Sequence, residues 1–528
     1  MDKRVNLQIV LLYILISILY IIKVADQAEN RIASRIDNGR WLLLLGEIVS
    51  LGLIAAYTGS IFGFGDSCDI VLSIIVAYLI PRLLYSKSSL SCRCGQWLLL
   101  VVSTLLAFFM IYSMNVWTNH SDFTLEMPDL HSDDGCYYSW ALSHYDGRCP
   151  SPKIPFKGLP LFMLGMWKVL GVSVVWPMAL NYMFSLLTIV VTGKIANRLL
   201  SSRFPTISPA SISALSMLLV SFLCFLMSQC LRIQKEAGCV IGITMVGYCL
   251  AGFASKTPLS SKEKRRDMAC FVVGTLILAL VRTNFAYFAM IGAAMMAFAR
   301  GRAQWKRGTL LALIALSITV LFSILFSYTF GQQYRTVDGG DAMALAFKMG
   351  YVQQPYLSLI GDYYHYPEWE RLLLLPITAG VQYTIPFPWL YSYENASIIS
   401  ILPRIRFMWY FVGGICIYYY LYINVIHYKH GNLGMWAWWP LVTFLCIAFI
   451  TGGSVSRYTL PIQPLFVVIA TYVLLQVKEG NYRRSFTIWM IVYTLVLVAT
   501  LILCYHTQIK YFESLDEYYR MKAKHLIN

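Results

Sequence analysis

Charge is scarce in this chain. Asp, Glu, Lys and Arg make up 13% of its 528 residues, where a soluble domain carries about 25%. That is too little to clothe a soluble surface, and 58% of the residues are hydrophobic, with a mean hydropathy of +0.61. Internal repeats, low-complexity tracts and a recognisable soluble domain are missing as well. What fills the chain is a succession of apolar runs, each near the roughly 20 residues that a helix needs to cross a bilayer. The sequence therefore reads as an all-α polytopic membrane protein, a single integral membrane domain over 1–528. Candidate spans are 6–24, 41–60, 68–86, 97–116, 174–199, 207–230, 236–255, 268–282, 285–299, 308–330, 401–424, 433–452, 458–477 and 485–505. This gives about 13 or 14 transmembrane helices. The first run can itself serve as an anchor, so a cleaved signal peptide is not required.

Acids are the scarcer charge: 26 Asp and Glu face 42 Lys and Arg, a net charge of +16. Such a surplus can signal nucleic-acid binding. Here the basic residues sit in short loops between apolar runs, as orientation signals do, so nucleic acid is excluded as a partner. Zinc-site spacing is also absent. Cys92 and Cys94 form a C-x-C pair without a second pair, and most of the 13 cysteines fall inside apolar runs, where they act as small hydrophobes. Cys136 and Cys149 pair if their loop faces an oxidising compartment, or remain two free thiols.

Loop charge orients the chain. The most basic loop, 255–267, holds Lys256, Lys262, Lys264, Arg265 and Arg266, and the positive-inside rule puts it in the cytoplasm. Alternation then places four other basic loops on that side. They carry Arg82, Lys87 and Arg93; Lys194, Arg198 and Arg203; Arg300, Arg302, Lys306 and Arg307; and Lys478, Arg483 and Arg484. Two long segments, 117–157 and 331–400, fall outside, in the periplasm if the membrane is a bacterial inner (plasma) membrane. Parity requires that 372–390, with Pro376, Pro386 and Pro388, lie at the surface rather than cross. Counting back puts the N-terminus outside, against the preference of Lys3 and Arg4. Either it is external or one early segment does not span. The region 268–299 is basic at both ends and short for two crossings, with Arg282, Thr283 and Asn284 at its middle. It reads as two short helices meeting at a polar turn.

The external loop 117–157 contains HSDDGCYYSWALSHYDG, His131 to Gly147. Ser132, Asp133 or Asp134 suits a helix N-cap, and Gly147 suits a stop. Tyr137, Tyr138, Ala141, Leu142 and Tyr145 recur at helical spacing, which predicts an aromatic face lying at the membrane interface. On one reading the acids only cap this helix. On the other, a carboxylate at this depth acts as general base on a hydroxyl, toward a lipid-linked sugar phosphate whose tail stays in the bilayer. His131 and His144 flank the acids, and nothing in their spacing demands a metal.

Asp133 to Ala141 (D-D-G-C-Y-Y-S-W-A), Gly147 and K-G-L-P-L-F at Lys157 to Phe162 resemble the first external loop of GT-C glycosyltransferases. The branch is that of protein O-mannosyltransferases and aminoarabinose transferases, including bacterial polyprenyl-phosphate-sugar-dependent enzymes. Their pattern is roughly D-E-x-x-Y-x-x-x-A, a glycine, then K-P-P-L. Asp134 stands where the family has Glu, and Gly158 and Leu159 break the double proline. R-Y-T-L-P-I-Q-P, Arg457 to Pro464, is similar to a late R-Y-x-L-P-x-x-P, and I-P-F-P-W, Ile385 to Trp389, to an element of bacterial relatives. Three or four spans before the loop, where better-known members have one, are a departure. The resemblance implies a GT-C fold with external juxtamembrane helices, Asp133 as catalytic base and Asp134 as its neighbour on acceptor or metal. Some members use a divalent ion and others do not.

A departing lipid phosphate needs cations, because charge develops on the leaving oxygen. Arginine presents a planar fork of donors. Charge-based orientation puts Arg232, Lys235, Arg282 and Arg457 at external span ends. Arg457, beside Tyr458, Pro461 and Pro464, is the strongest phosphate candidate. Arg282 is open between phosphate and lipid headgroups, Arg232 reads as snorkelling, and Lys235 and Glu236 read as a pair. Arg335, Asp338 and Asp341 read as a solvated loop, and Tyr363 to Tyr366 as sugar-stacking rings or an interface belt. The expected activity is transfer of a hexosyl or pentosyl group from a polyprenyl-phosphate donor to an acceptor hydroxyl on a glycan, lipid-linked saccharide or protein. Asp133 and Asp134 would be catalytic, and Tyr137, Lys157, Arg282, Arg457 and Tyr458 would bind substrate. The rivals are a polymerase or ligase using lipid-diphosphate glycans, and a transporter, which would favour internal repeats and broken midplane helices.

Overall fold

The computed structural model describes residues 36–88, 90–119, 133–147, 158–222, 233, 235–255, 259–299, 302–330, 367–384, 413–423, 433–451, 456–480, 482–499 and 502. The run 6–24, the loop 120–132 and most of 331–400 lie outside them, with Arg335, Asp338, Asp341, Tyr363 to Tyr366 and the I-P-F-P-W stretch. Among the described residues every regular element is helical and none is a strand. They are α1 (Ile36–Gly59), α2 (Phe64–Ser86), α3 (Arg93–Asn119), α4 (Asp133–Tyr145), α5 (Gly158–Leu170), α6 (Val175–Leu200), α7 (Pro209–Ser221), α8 (Glu236–Ala254), α9 (Ser261–Ala299), α10 (Arg302–Phe330) and α11 (Glu368–Thr384). Then come α12 (Gly413–Ile423), α13 (Met435–Thr451), a 3-10 turn (Ser456–Ile462), α14 (Gln463–Lys478) and α15 (483–499). Eight of these helices are long and apolar enough to cross a membrane.

Helix is the dictated choice in lipid, because each backbone N–H and C=O must find its partner within the segment. Buried hydroxyls follow the same rule and turn back on their own helix. Thr192 donates to the Thr188 carbonyl at 2.7 Å, Thr244 to Val240 at 2.6 Å and Thr275 to Phe271 at 2.8 Å. Burial ranks the helices by place. In α8, 89% of the most apolar window is buried in protein, against 17% in α1. So α8 is central, while α1 presents Trp41, Leu45, Ile48 and Leu53 outward.

Helix α1 meets α2 through an ion pair of Glu47 with Arg82, joined by the Tyr78 hydroxyl at 2.9 Å. An intramembrane carboxylate is costly alone, and this pairing keeps the two outer helices together.

Helix α9 is a hairpin. A straight helix of 39 residues would run about 58 Å and hold Asp267 and Ala297 about 45 Å apart. Both instead reach the start of α10. Arg307 lies 3.5 Å from Asp267, and a Cβ on Gly308 would come within 2.7 Å of Ala297 Cα. The chain reverses at Arg282, whose φ of −159° and ψ of 88° interrupt the helix. Its first leg runs antiparallel to α8: Gly252 is beside Asp267, Gly242 beside Leu278 and Gly238 beside Val281. The second leg returns with Gly292 against Leu250. The legs are about 31 Å and about 25 Å long: two short helices meeting at Arg282, the first beginning at Ser261.

One end of the bundle gathers the basic loops. Lys194 donates to the Leu84 carbonyl at 3.3 Å, and Thr206 to Glu479 at 3.0 Å. Between them Asp267, wholly buried, accepts from Arg198 at 2.9 Å. Arg198 also bonds the Tyr248 carbonyl at 3.1 Å and stacks on the Tyr248 ring, as Arg307 stacks on Phe253. One carboxylate thus ties α6, α8, the base of the α9 hairpin and α10. The opposite end carries α4, the start of α8 and the tip of the hairpin.

Candidate functional site

Helix α4 begins at Asp133 and stops at Gly147, whose φ of +70° is the left-handed turn that glycine takes without strain. Its aromatic face does not lie on lipid. Tyr137, Tyr138, Trp140 and Ala141 are buried, Tyr138 packs edge-on to Trp167 of α5 at 4.9 Å, and His144 stacks on Trp140 at 3.8 Å. Only Tyr145 of the face is exposed. Phenol and indole groups bury well where a polar tip finds a partner, and the protein supplies one. Lys235 donates a 2.7 Å hydrogen bond to the Tyr137 hydroxyl and lies 5.3 Å from its ring. Lys235 is itself only 5% exposed.

That bond places α4 on the residue that immediately precedes α8. The hairpin tip meets the same point. Arg282, 8% exposed, stacks over Phe285 at 5.0 Å, and the Cys239 thiol lies within the combined field of Arg282, Glu236 and Lys235. The Glu236 carboxylate is buried, and its Oε1 has no hydrogen-bond partner among the described residues. Gly158, at the start of α5, completes the junction: a Cβ there would overlap the Leu280 carbonyl oxygen, so only glycine lets α5 meet the hairpin this closely.

Of the candidate residues, Tyr137 and Arg282 come to this junction. Tyr137 engages Lys235, the sequence neighbour of Glu236. Asp133 and Asp134 open α4 one turn before Tyr137, and their side chains lie outside the described residues. So do Lys157, one residue before Gly158, and the side chains of Arg457, Tyr458 and Cys136, while Arg232, His131 and Cys149 lie outside altogether. The backbone of Arg457 and Tyr458 belongs to the 3-10 turn. That turn packs on α8 and leads into α14, whose far end reaches the basic loops through Glu479. Among the described residues no group of three His, Cys, Asp or Glu stands together as metal ligands.

Sequence reasoning set Lys235 among the external cations and paired it with Glu236, and did not foresee its bond to Tyr137. It also missed Asp267, an acid inside the most basic loop.

No family model matches the chain, and no curated protein does. Solved structures with a similar course include the oligosaccharyltransferase AglB from Archaeoglobus fulgidus in complex with an inhibitory peptide and a dolichol-phosphate. It is 12% identical, with a TM-score of 0.42 over 78% of this chain and 55% of that one. An Archaeoglobus fulgidus oligosaccharyltransferase in complex with Zn and sulfate is 13% identical, with a TM-score of 0.42 over 77% and 52%. The chain spans about half the length of these proteins.

Proposed function

We propose that this protein is a GT-C type glycosyltransferase that moves a sugar from a polyprenyl-phosphate carrier to an acceptor hydroxyl outside the membrane. The observation that carries the reading is the junction itself. A helix that opens on two acids is fastened by Tyr137 to a buried lysine, and Arg282 sits in the same charged neighbourhood, at the bundle end opposite the basic loops.

Each half of the reaction has a group suited to it. Asp133 takes the proton of the acceptor hydroxyl, the freed oxygen attacks the anomeric carbon, and the bond from that carbon to the phosphate oxygen breaks with inversion. Its electron pair leaves on the lipid phosphate, where Arg457 and Arg282 offset the charge. A positioned base contributes about 100-fold to 10,000-fold, and cations fixed in a water-poor site act without reorganising. Asp134 orients the acceptor, and Tyr137 and Lys157 hold the loop to the donor. The resident membrane is a plasma membrane, and the acceptor is a glycan, a lipid-linked saccharide or a protein.

The test is purified full-length protein in lipid nanodiscs with radiolabelled polyprenyl-phosphate sugars and a membrane extract as acceptor. The reading expects labelled product together with free polyprenyl phosphate. Donors that remain intact across hexosyl and pentosyl carriers would overturn it.

A further inference from the structure

Helix α6 and the first leg of α9 face each other across α8. Toward one end, Leu180 and Phe184 of α6 stand opposite Ile277 and Leu280 of α9. The same helical stripes continue toward the basic end. On α6 the stripe passes Val191 to Lys194, and on α9 it passes Val273 and Cys270 to Arg266, each residue partly or fully exposed. There the two stripes meet in charge: Lys194, Arg266 and Cys270 lie within one another's field.

Both cations are held by protein. Lys194 turns to the Leu84 carbonyl of α2 at 3.3 Å, and Arg266 stands 5.7 Å over the Tyr248 ring, which Arg198 covers at 4.6 Å. The acids nearby are engaged elsewhere. Asp267 is wholly buried between Arg198 and Arg307. Glu263 caps its own helix, accepting from the Ser260 amide and hydroxyl at 2.9 Å. Among the described residues neither acid pairs with Lys194 or Arg266, so positive charge is in surplus here.

We infer that the gap between α6 and α9 at the basic end binds one anionic phospholipid, with its phosphate between Lys194 and Arg266 and its acyl chains along Val191 and Val273. This site lies at the end of the bundle opposite Asp133 and does not depend on the sugar-transfer reading. Basic pockets between membrane helices suit anionic headgroups. An ammonium has three donors and a guanidinium five, so the Leu84 carbonyl leaves Lys194 with donors for a phosphate, and the stacked guanidinium of Arg266 keeps its own. Snorkelling side chains reach outward to whichever headgroups pass. Lys194 and Arg266 are instead turned by Leu84 and Tyr248 toward one shared gap. A soluble anion would meet the cations but leave the apolar stripes beside them uncovered, whereas a lipid covers both. A zwitterionic headgroup would bring a further cation to a place already rich in them.

The experiment uses the full-length protein in phosphatidylcholine nanodiscs that hold a little phosphatidylglycerol with a diazirine near the carboxyl end of one acyl chain. The expected adducts map to 187–194 or 269–277. Excess unlabelled phosphatidylglycerol competes them away, and phosphatidylcholine or inorganic phosphate at the same concentration does not. The double variant Lys194→Gln with Arg266→Gln is expected to cut labelling about tenfold or more, at roughly fivefold per charge. Lys194→Arg with Arg266→Lys keeps both charges and is expected to keep the labelling. Lys478 and Arg483 are exposed at the same end of the bundle, and Lys478→Gln with Arg483→Gln is expected to change nothing. If the first double variant does not fold, the adduct map and the competition in the unaltered protein decide. Adducts spread evenly over the outward faces of α1, α10 and α15 would overturn the inference. So would an equal loss of labelling in the Lys478 and Arg483 variant, or displacement by inorganic phosphate.

Discussion

Lys235 and Tyr137 stand 98 residues apart in sequence and 2.7 Å apart in space. This bond fastens the helix that opens on Asp133 to the most buried helix of the bundle. Tyr137→Phe removes it and leaves a buried ammonium short of one partner. Hydrogen bonds to charged groups are worth about 1.5–3 kcal/mol. The expected result is a sugar-transfer rate lowered about tenfold, with the thermal unfolding midpoint lowered by a few degrees. A variant with the rate and the midpoint of the unaltered protein would show that the bond positions nothing.

Asp267 is the keystone of the basic end. Removing one member of a buried ion pair costs about 3–5 kcal/mol, because the partner charge is left behind. Asp267→Ala strands Arg198 and Arg307, so its unfolding midpoint in detergent should fall sharply. Arg198→Ala should fall comparably, and the double variant by less than the sum of the two, since the residues share one interaction. Additive losses would mean that the two side chains act independently.

The hairpin of α9 has a direct spectroscopic consequence. Lys262 and Phe298 are exposed at its two ends. In a variant whose accessible cysteines are replaced by serine, spin labels at these positions should lie closer than about 25 Å. A continuous helix would hold them about 54 Å apart. Dipolar spectroscopy separates the two outcomes.

Much of this architecture was legible from the residues alone. The apolar runs mark the helices because lipid leaves the backbone no alternative. The polar triplet at Arg282 marks the reversal, although the first leg starts at Ser261, earlier than hydropathy suggests, because its opening turns are charged. The loop charges predict which helix ends share a side, and the contacts of Lys194, Arg198, Arg307 and Glu479 put those ends together. Partnership was not legible. Lys235 reads as the mate of Glu236 because they are adjacent, yet the hydrogen bond of Lys235 to Tyr137 depends on packing between distant segments. The aromatic face of α4 reads as interfacial because helical periodicity reports an apolar face and not what covers it. In the fold it is covered by α5. Asp267 is hidden for a related reason: an acid within a basic loop looks like a solvated charge until the three helices around it are seen.

Gly158 offers a local test of the junction. Its Cβ position is occupied by the Leu280 carbonyl, so Gly158→Val must push α5 from the hairpin tip. Overpacking of this kind costs about 1–3 kcal/mol. Expression and unfolding midpoint should drop, while Gly165→Val, where a Cβ meets open space, should leave both unchanged. Equal effects at the two positions would contradict the close approach.

The sugar-transfer account is tested most directly by comparing donor turnover in the unaltered protein and in Asp133→Asn, with polyprenyl-phosphate sugar in nanodiscs. The account predicts a loss of about 100-fold or more in transfer, with donor binding and the unfolding midpoint retained. Turnover that is unchanged in Asp133→Asn would contradict it.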